Sequence, residues 1–246
     1  GAPHLAGVLE RRAAIELDPA ARKRRLGEAA RLHEQRGDVA AAIGAWQALR
    51  TAEEGDAEAL GELARLYEAT GQGAELVGAL AERARFAEAP AERATLWARV
   101  GGLRLGQDDV EGAAEAYREA LEGAPDALAI EVLESLETIE EKREDWTSLQ
   151  EILMRRLGAT QGAAQLPVLF KLAKNAETRL EDVDQASGYL RQVLEVDERN
   201  AQAYAELERV LRGGERWYDL VDVLTKHADG EALAGRRESC IICTKF

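Results

Sequence analysis

A short segment that returns at a fixed interval constrains this chain more than any other feature. Leu9-Glu-Arg-Arg reappears as Leu80-Ala-Glu-Arg, Leu153-Met-Arg-Arg and Leu224-Thr-Lys-His, at intervals of 71, 73 and 71 residues. A second, independent set, Val39, Val110 and Val183, is spaced by 71 and 73 residues. Self-similarity at a fixed period marks a solenoid, in which each unit buries its apolar face only against its neighbours. Each long interval holds two helix-turn-helix patterns, so the elementary unit is roughly 35 to 36 residues. The tandem unit is a pair of unlike hairpins.

Composition agrees with helices throughout. The chain is rich in Ala, Leu, Glu and Arg and has five prolines in 246 residues, so helix propensity is high and interior breakers are few. An all-α chain follows. Turn chemistry marks its joints. Gly37-Asp38 closes one helix with a left-handed residue and caps the next with a carboxylate acceptor. Gly71-Gln72-Gly73, Asp108-Asp109 and Asp145-Trp146 mark later turns, and Pro90 and Pro125 mark helix starts. Hairpins are expected over 19–55, 56–89, 90–124, 125–160, 161–198 and 199–229. Residues 1–18 read as the second helix of a truncated repeat, with a helix over 3–17 whose partial apolar stripe is Leu5, Val8, Leu9 and Ile15. Residues 230–246 read as a partial capping helix or tail.

The same interval organises the aromatics. Trp46 and Tyr117 occupy matching sites in one hairpin type, with Leu190 third, and Trp146 matches Trp217 in the other type. Large side chains at fixed repeat sites are expected to wedge between successive helices as core.

Residues 94–125 carry a more specific pattern. Trp97, Val100, Gly101, Ala113, Tyr117, Ala120 and Pro125 stand in the order and spacing that resembles the tetratricopeptide repeat family. Arg104 departs from that pattern, standing where a large aromatic is usual. The likeness is partial elsewhere: Leu26, Ala30, Gly37, Ala42 and Trp46 fit in the first hairpin, Leu63, Ala64, Tyr67 and Gly71 in the second, and Tyr204 and Leu207 in the last. Glu137 and Glu208 stand where a small residue belongs, which opposes close helix approach at those points.

The resemblance implies a right-handed α-solenoid of about six helix-turn-helix hairpins, with a lone N-terminal helix and a partial C-terminal helix. It also implies a concave groove lined by the first helix of each hairpin. Carried over by interval, the groove candidates are Arg24, Arg31 and Arg65 toward one end, and Lys171, Asn175, Arg179, Arg209 and Arg212 toward the other. Lys171-x-x-x-Asn175 resembles half of the carboxylate clamp that some members use, although Glu206 stands where the clamp's second Asn would be. The expected function is a non-catalytic scaffold for protein–protein interaction that presents the groove to a peptide or folded protein, which could carry acidic groups or a free C-terminus. The other reading is a structural spacer or self-associating segment of a larger protein, with Ile241 and Ile242 as the contact.

Charge and chemistry exclude other classes. A net charge of −14 and an isoelectric point near 4.9 oppose nucleic-acid binding, which gains affinity from clustered cations. Nearly all of that charge lies between Asp108 and Glu151, where fifteen acidic residues face three basic ones. Such a run reads as a solvated face that could also steer a basic partner. No apolar run is long enough to span a bilayer, and the first residues lack the basic and apolar regions of a leader, so no membrane partner is expected. His4, His33 and His227 form no metal-ligating pair, and no Ser or Cys sits in a nucleophile context. No catalytic residue, metal or cofactor is expected, and the chain does not read as an enzyme. Cys240 and Cys243 cannot supply a disulfide framework, which fits a reducing compartment, the cytoplasm first. Their C-x-x-C spacing lacks both a redox setting and further zinc ligands.

Overall fold

Turn chemistry sets the helix boundaries in the computed structural model, which describes residues 3–228. After α1 (Pro3–Ala14) come the pairs α2 (Pro19–Gln35) and α3 (Val39–Ala52), α4 (Ala57–Ala69) and α5 (Gly73–Phe86), and α6 (Pro90–Gly106) and α7 (Val110–Leu121). Next are α8 (Asp126–Arg143) and α9 (Trp146–Ala159), then a 3-10 turn at Gly162–Ala164 leading into α10 (Gln165–Thr178) and α11 (Val183–Val196). The last pair is α12 (Ala201–Gly213) and the helical residues 217–228. No strand occurs among the described residues. The helices follow the repeat and the hairpin order expected from it.

Carboxylate and amide caps start most of these helices. Asp38, Asp56, Asp109, Asp145 and Asp182 each accept a hydrogen bond from a backbone amide three residues on, at 2.7–3.1 Å, and Asn200 does so at 3.0 Å. Each bond satisfies one of the amides that a helix N-terminus leaves without an internal partner. The residue before the cap turns the chain. Gly37 and Gly71 adopt φ of 75° and 71° there, and Asp108, Glu144, Glu181 and Glu215 adopt the same left-handed conformation despite carrying a β-carbon.

The chain forms two compact units divided between Val132 and Leu133, inside α8. In the first, Trp46 is fully buried and its indole Nε1 donates to Glu34 at 3.1 Å. Trp97 and Tyr117 are also core. Gly101 permits the approach of α7, because a β-carbon there would lie 2.8 Å from the Tyr117 ring. In the second, Leu190 packs with Ala173, Ala176, Leu207 and Val210, and Leu149, Leu153, Leu169, Leu172 and Val193 form an adjoining cluster.

Three local expectations are corrected. Helix α1 stops at Ala14, short of residue 17, and buries Ala6 and Ala13, which small side chains allow; Leu5 and Ile15 are exposed. Trp217 is not a wedge, with 55% of its surface exposed. Residues 217–228 bury Leu220 and Val223, and Trp217 lies roughly a quarter turn from that stripe. Its counterpart Trp146 is half-buried because Arg179 of the next hairpin covers it, whereas no further described helix follows residues 217–228.

Two departures from the repeat pattern have physical reasons. Arg104, in place of an aromatic, donates to the Gly112 carbonyl at 2.8 Å and so fastens α6 to α7. Glu137, in place of a small residue, is buried and accepts from Arg156 at 2.7 Å and from Lys171. Paired cations make its burial tolerable.

Candidate functional site

Helix α10 has two faces. Val168, Leu169, Leu172, Ala173 and Ala176 are buried, and the face bearing Lys171, Lys174, Asn175 and Thr178 follows the i, i+3, i+4, i+7 spacing that aligns side chains along a helix. That face borders an open cavity of about 330 Å³ in the second unit, lined also by Trp146 and Leu149 of α9, by Glu141 and by Arg179. Lys174 and Thr178 also line a second cavity of about 350 Å³ that reaches Glu206, Arg209 and Leu190. Lys174 therefore stands between two hollows on the same unit.

Ion pairs occupy most of the cations on the first helices of the hairpins. In the first unit Arg65 pairs with Glu34 and with Glu62, Arg99 pairs with Glu68 at 2.6 Å, and Arg31 pairs with Glu58 while lying over the Trp46 ring. In the second unit Lys171 pairs with Glu137, and Arg209 pairs with Glu177 at 2.6 Å and with Glu206 at 2.7 Å. Most of these pairs join one hairpin's first helix to that of the next, at separations of 27–34 residues. The hydrogen bonds that Arg209 donates to Glu177 and Glu206 hold its guanidinium above its ordinary basicity, and those to Glu34 and then Glu62 do the same for Arg65. These side chains stay charged and are tied down.

The structure thus separates the sequence candidates. Arg31 and Arg65 lie in the first unit within ion pairs, and Arg24 is exposed there. Arg209 borders the second cavity, and Arg212 pairs with Glu208 on its own helix. Lys171, Asn175 and Arg179 come together around the first cavity. Arg179 lies 4.1 Å from the Trp146 ring centre, with no carboxylate partner among the described residues. Asn175 is 5% exposed, and its Nδ2 donates to the Trp146 carbonyl at 3.0 Å and to Gln150 Oε1 at 2.8 Å.

Sequence reasoning missed Lys174. Its side chain is exposed and makes no hydrogen bond or ion pair among the described residues, and it was legible by applying helical spacing to Lys171 and Thr178. Gln150 was also missed, because its partners lie 25 and 39 residues away and no local signal exists.

Ile241, Ile242, Cys240 and Cys243 lie outside the described residues. Among the described residues no group of three His, Cys, Asp or Glu side chains is placed to hold a metal ion, and no helix is long and apolar enough to cross a membrane.

No protein-family model matches the chain, and no curated protein does. Solved structures do show similarity. The MamA protein shares 14% identity, with a TM-score of 0.34 and coverage of 87% of this chain and 94% of that one. YrrB, described as a TPR protein with an unusual peptide-binding site, shares 16% identity, with a TM-score of 0.42 over 75% and 91% of the two chains. The C-terminal part of a TPR repeat-containing protein from Cytophaga hutchinsonii shares 13% identity, with a TM-score of 0.41 over 82% and 87%.

Proposed function

We propose that this chain is a non-catalytic protein-interaction scaffold whose second unit takes up an acidic peptide or the free C-terminus of a partner in the groove along α10. One observation carries this reading: Lys171, Lys174 and Arg179 converge on a single cavity in a chain whose net charge is −14. An anion entering that cavity meets Lys174, which has no carboxylate partner among the described residues, and Arg179, whose charge is spent only on an aromatic face. At Arg209 the same anion would have to displace two carboxylates already bonded to the guanidinium. The cavity therefore offers anion binding without that competition, which an exposed pair alone would not.

The test is fluorescence anisotropy with dye-labelled decapeptides, acidic, neutral and basic, each with a free or amidated C-terminus. Acidic or free-acid peptides should bind the wild type best, and the double substitution Lys174→Glu, Arg179→Glu should weaken them at least tenfold, whereas Arg24→Glu should not. Affinity that is unchanged in the double variant, or no preference for acids, would refute the proposal.

A further inference from the structure

The helical residues 217–228 expose a face that their counterparts in the repeat keep covered. The recurring leucines Leu9, Leu80, Leu153 and Leu224 align this helix with α1, α5 and α9. On one side of it, at i, i+3 and i+7 spacing, stand Val221, Leu224 and Ala228. At those places α1 has Ala6 and Ala13, α5 has Leu80 and Ala84, and α9 has Gln150 and Leu153, all at most 7% exposed. Val221 is 64% and Leu224 40% exposed, and Ala228 is exposed as well. The difference lies in the neighbour. The first helix of the next hairpin packs against each counterpart, α2 on α1, α6 on α5 and α10 on α9, and Leu153 shares a cluster with Leu169 and Leu172 of α10.

Residues 229–246 lie outside the described residues, and their sequence continues the repeat. Thirteen residues after the recurring leucine, α2 has Arg22 and α6 has Arg93. Each donates through Nε and Nη2 to the carbonyl of the residue six earlier, Glu16 or Ala87, at 2.5–3.3 Å, and so ties its helix to the joint before it. Counted from Leu224, that place holds Arg237, with Glu231 six earlier. Seventeen residues after the leucine, α2 and α6 bury Leu26 and Trp97; counted from Leu224, that place holds Ile241. Lys245 then replaces the buried Ala30 and Gly101, so close contact ends before it.

We propose that residues 234–244 form the first helix of a further hairpin and lie across Val221, Leu224 and Ala228, with Ile241 in the place of Leu26 and Trp97 and Arg237 bonded to the Glu231 carbonyl. The occupant of this face is the chain's own next segment. The short linker 229–233 holds that segment at an effective concentration of roughly millimolar, which a second copy in dilute solution does not reach. The face is therefore a joint of the solenoid. Ile241, covered within its own chain, is then not available to join two chains, which removes the contact on which the self-associating reading rests.

Methyl NMR of the full chain tests this. Nuclear Overhauser effects are expected between the methyl groups of Ile241 and those of Leu224 or Val221. In a mixture of 13C-labelled and unlabelled chains, isotope-filtered spectra should show none of them between molecules. Ile241→Asp should speed amide hydrogen exchange at Leu224 and Ala228 at least tenfold, and Ile241→Val should leave it near wild type. Intermolecular effects between Ile241 and Leu224 would make a second copy the occupant and overturn the inference. Absence of any Ile241 contact with Val221 or Leu224, or exchange that Ile241→Asp leaves unchanged, would overturn it too. The wild-type spectra decide the matter even if Ile241→Asp does not fold.

Discussion

Replacing the acidic residues at four hairpin turns by glycine should make the protein more stable, although no contact is added. Asp108, Glu144, Glu181 and Glu215 adopt φ of 63°, 56°, 55° and 57°, where the first two hairpins use Gly37 and Gly71. A β-carbon in the left-handed region costs about 1–2 kcal/mol. Glycine removes that cost but gives the unfolded chain more freedom, worth about 0.5–1 kcal/mol in the opposite sense. The net gain is about 0.5–1 kcal/mol at each site. All four side chains are exposed, and none makes a hydrogen bond or ion pair among the described residues, so little is lost with them. Glu144, Glu181 and Glu215 belong to the second unit, and well-separated sites add, so their triple glycine variant should gain about 1.5–3 kcal/mol. Urea unfolding followed by far-ultraviolet circular dichroism reads this as a raised midpoint with an unchanged slope. Alanine at the same positions serves as the control, because it removes the charge and keeps the β-carbon. An equal gain with alanine would show that charge repulsion in this acidic chain, not backbone conformation, is the source. A loss with glycine would refute the reasoning outright.

Other perturbations separate residues that the repeat interval treats alike. Trp46→Ala should cost about 3–5 kcal/mol, because a fully buried indole with a bonded Nε1 is lost, while Trp217→Ala should stay within about 0.5 kcal/mol; calorimetry of the two variants checks this. Asp56 is buried, caps α4 through the Ala59 amide at 2.7 Å and pairs with Lys23, whose basicity rises through that hydrogen bond. Asp56→Ala should cost about 2–3 kcal/mol, a helix cap plus a charge-assisted bond, measured by urea unfolding at neutral pH. Hydrogen bonds from the Gln185 backbone and side chain hold the Asp182 carboxyl below the usual carboxylate range. Its contribution is therefore complete above that range and is lost as pH falls through the lowered folded value. Asp182→Asn keeps a cap at neutral pH, and its stability-against-pH curve should be flatter in acid than that of the wild type.

The repeat interval revealed the helices and their order because it acts on every unit at once. Periodicity, caps and prolines are local signals, so each boundary could be read within a few residues of where it lies. Burial at the ends was not legible in the same way. The spacing of Leu5, Val8, Leu9 and Ile15 marks an apolar stripe over residues 3–17, yet what a stripe faces depends on the neighbouring helix, and here Ala6 and Ala13 are the buried residues. Trp146 and Trp217 are equivalent in sequence and differ in surroundings, since only Trp146 has Arg179 above it.

The candidate site shows the same limit in its charges. Arg31, Arg65, Lys171 and Arg209 stood out in the sequence as cations in an acidic chain, and each is tied to a carboxylate from a neighbouring hairpin. Those partners lie 27 to 34 residues away, close to one elementary repeat, so the relation between Glu34 and Arg65, or Glu68 and Arg99, was available to anyone pairing charges at the repeat interval. Applied that way, the interval reports a second property beside architecture: it tells which cations have their charge already matched. Lys174 has no such partner one repeat earlier, because residues 140–143 there offer Glu140 to Arg143 and place Glu141 at the rim of the cavity. A binding surface in a repeat protein of this charge is thus better sought where the ladder of matched charges is interrupted than where cations are most numerous. The step from Lys171, which is matched, to Lys174 and Arg179, which are not, is that interruption in the second unit.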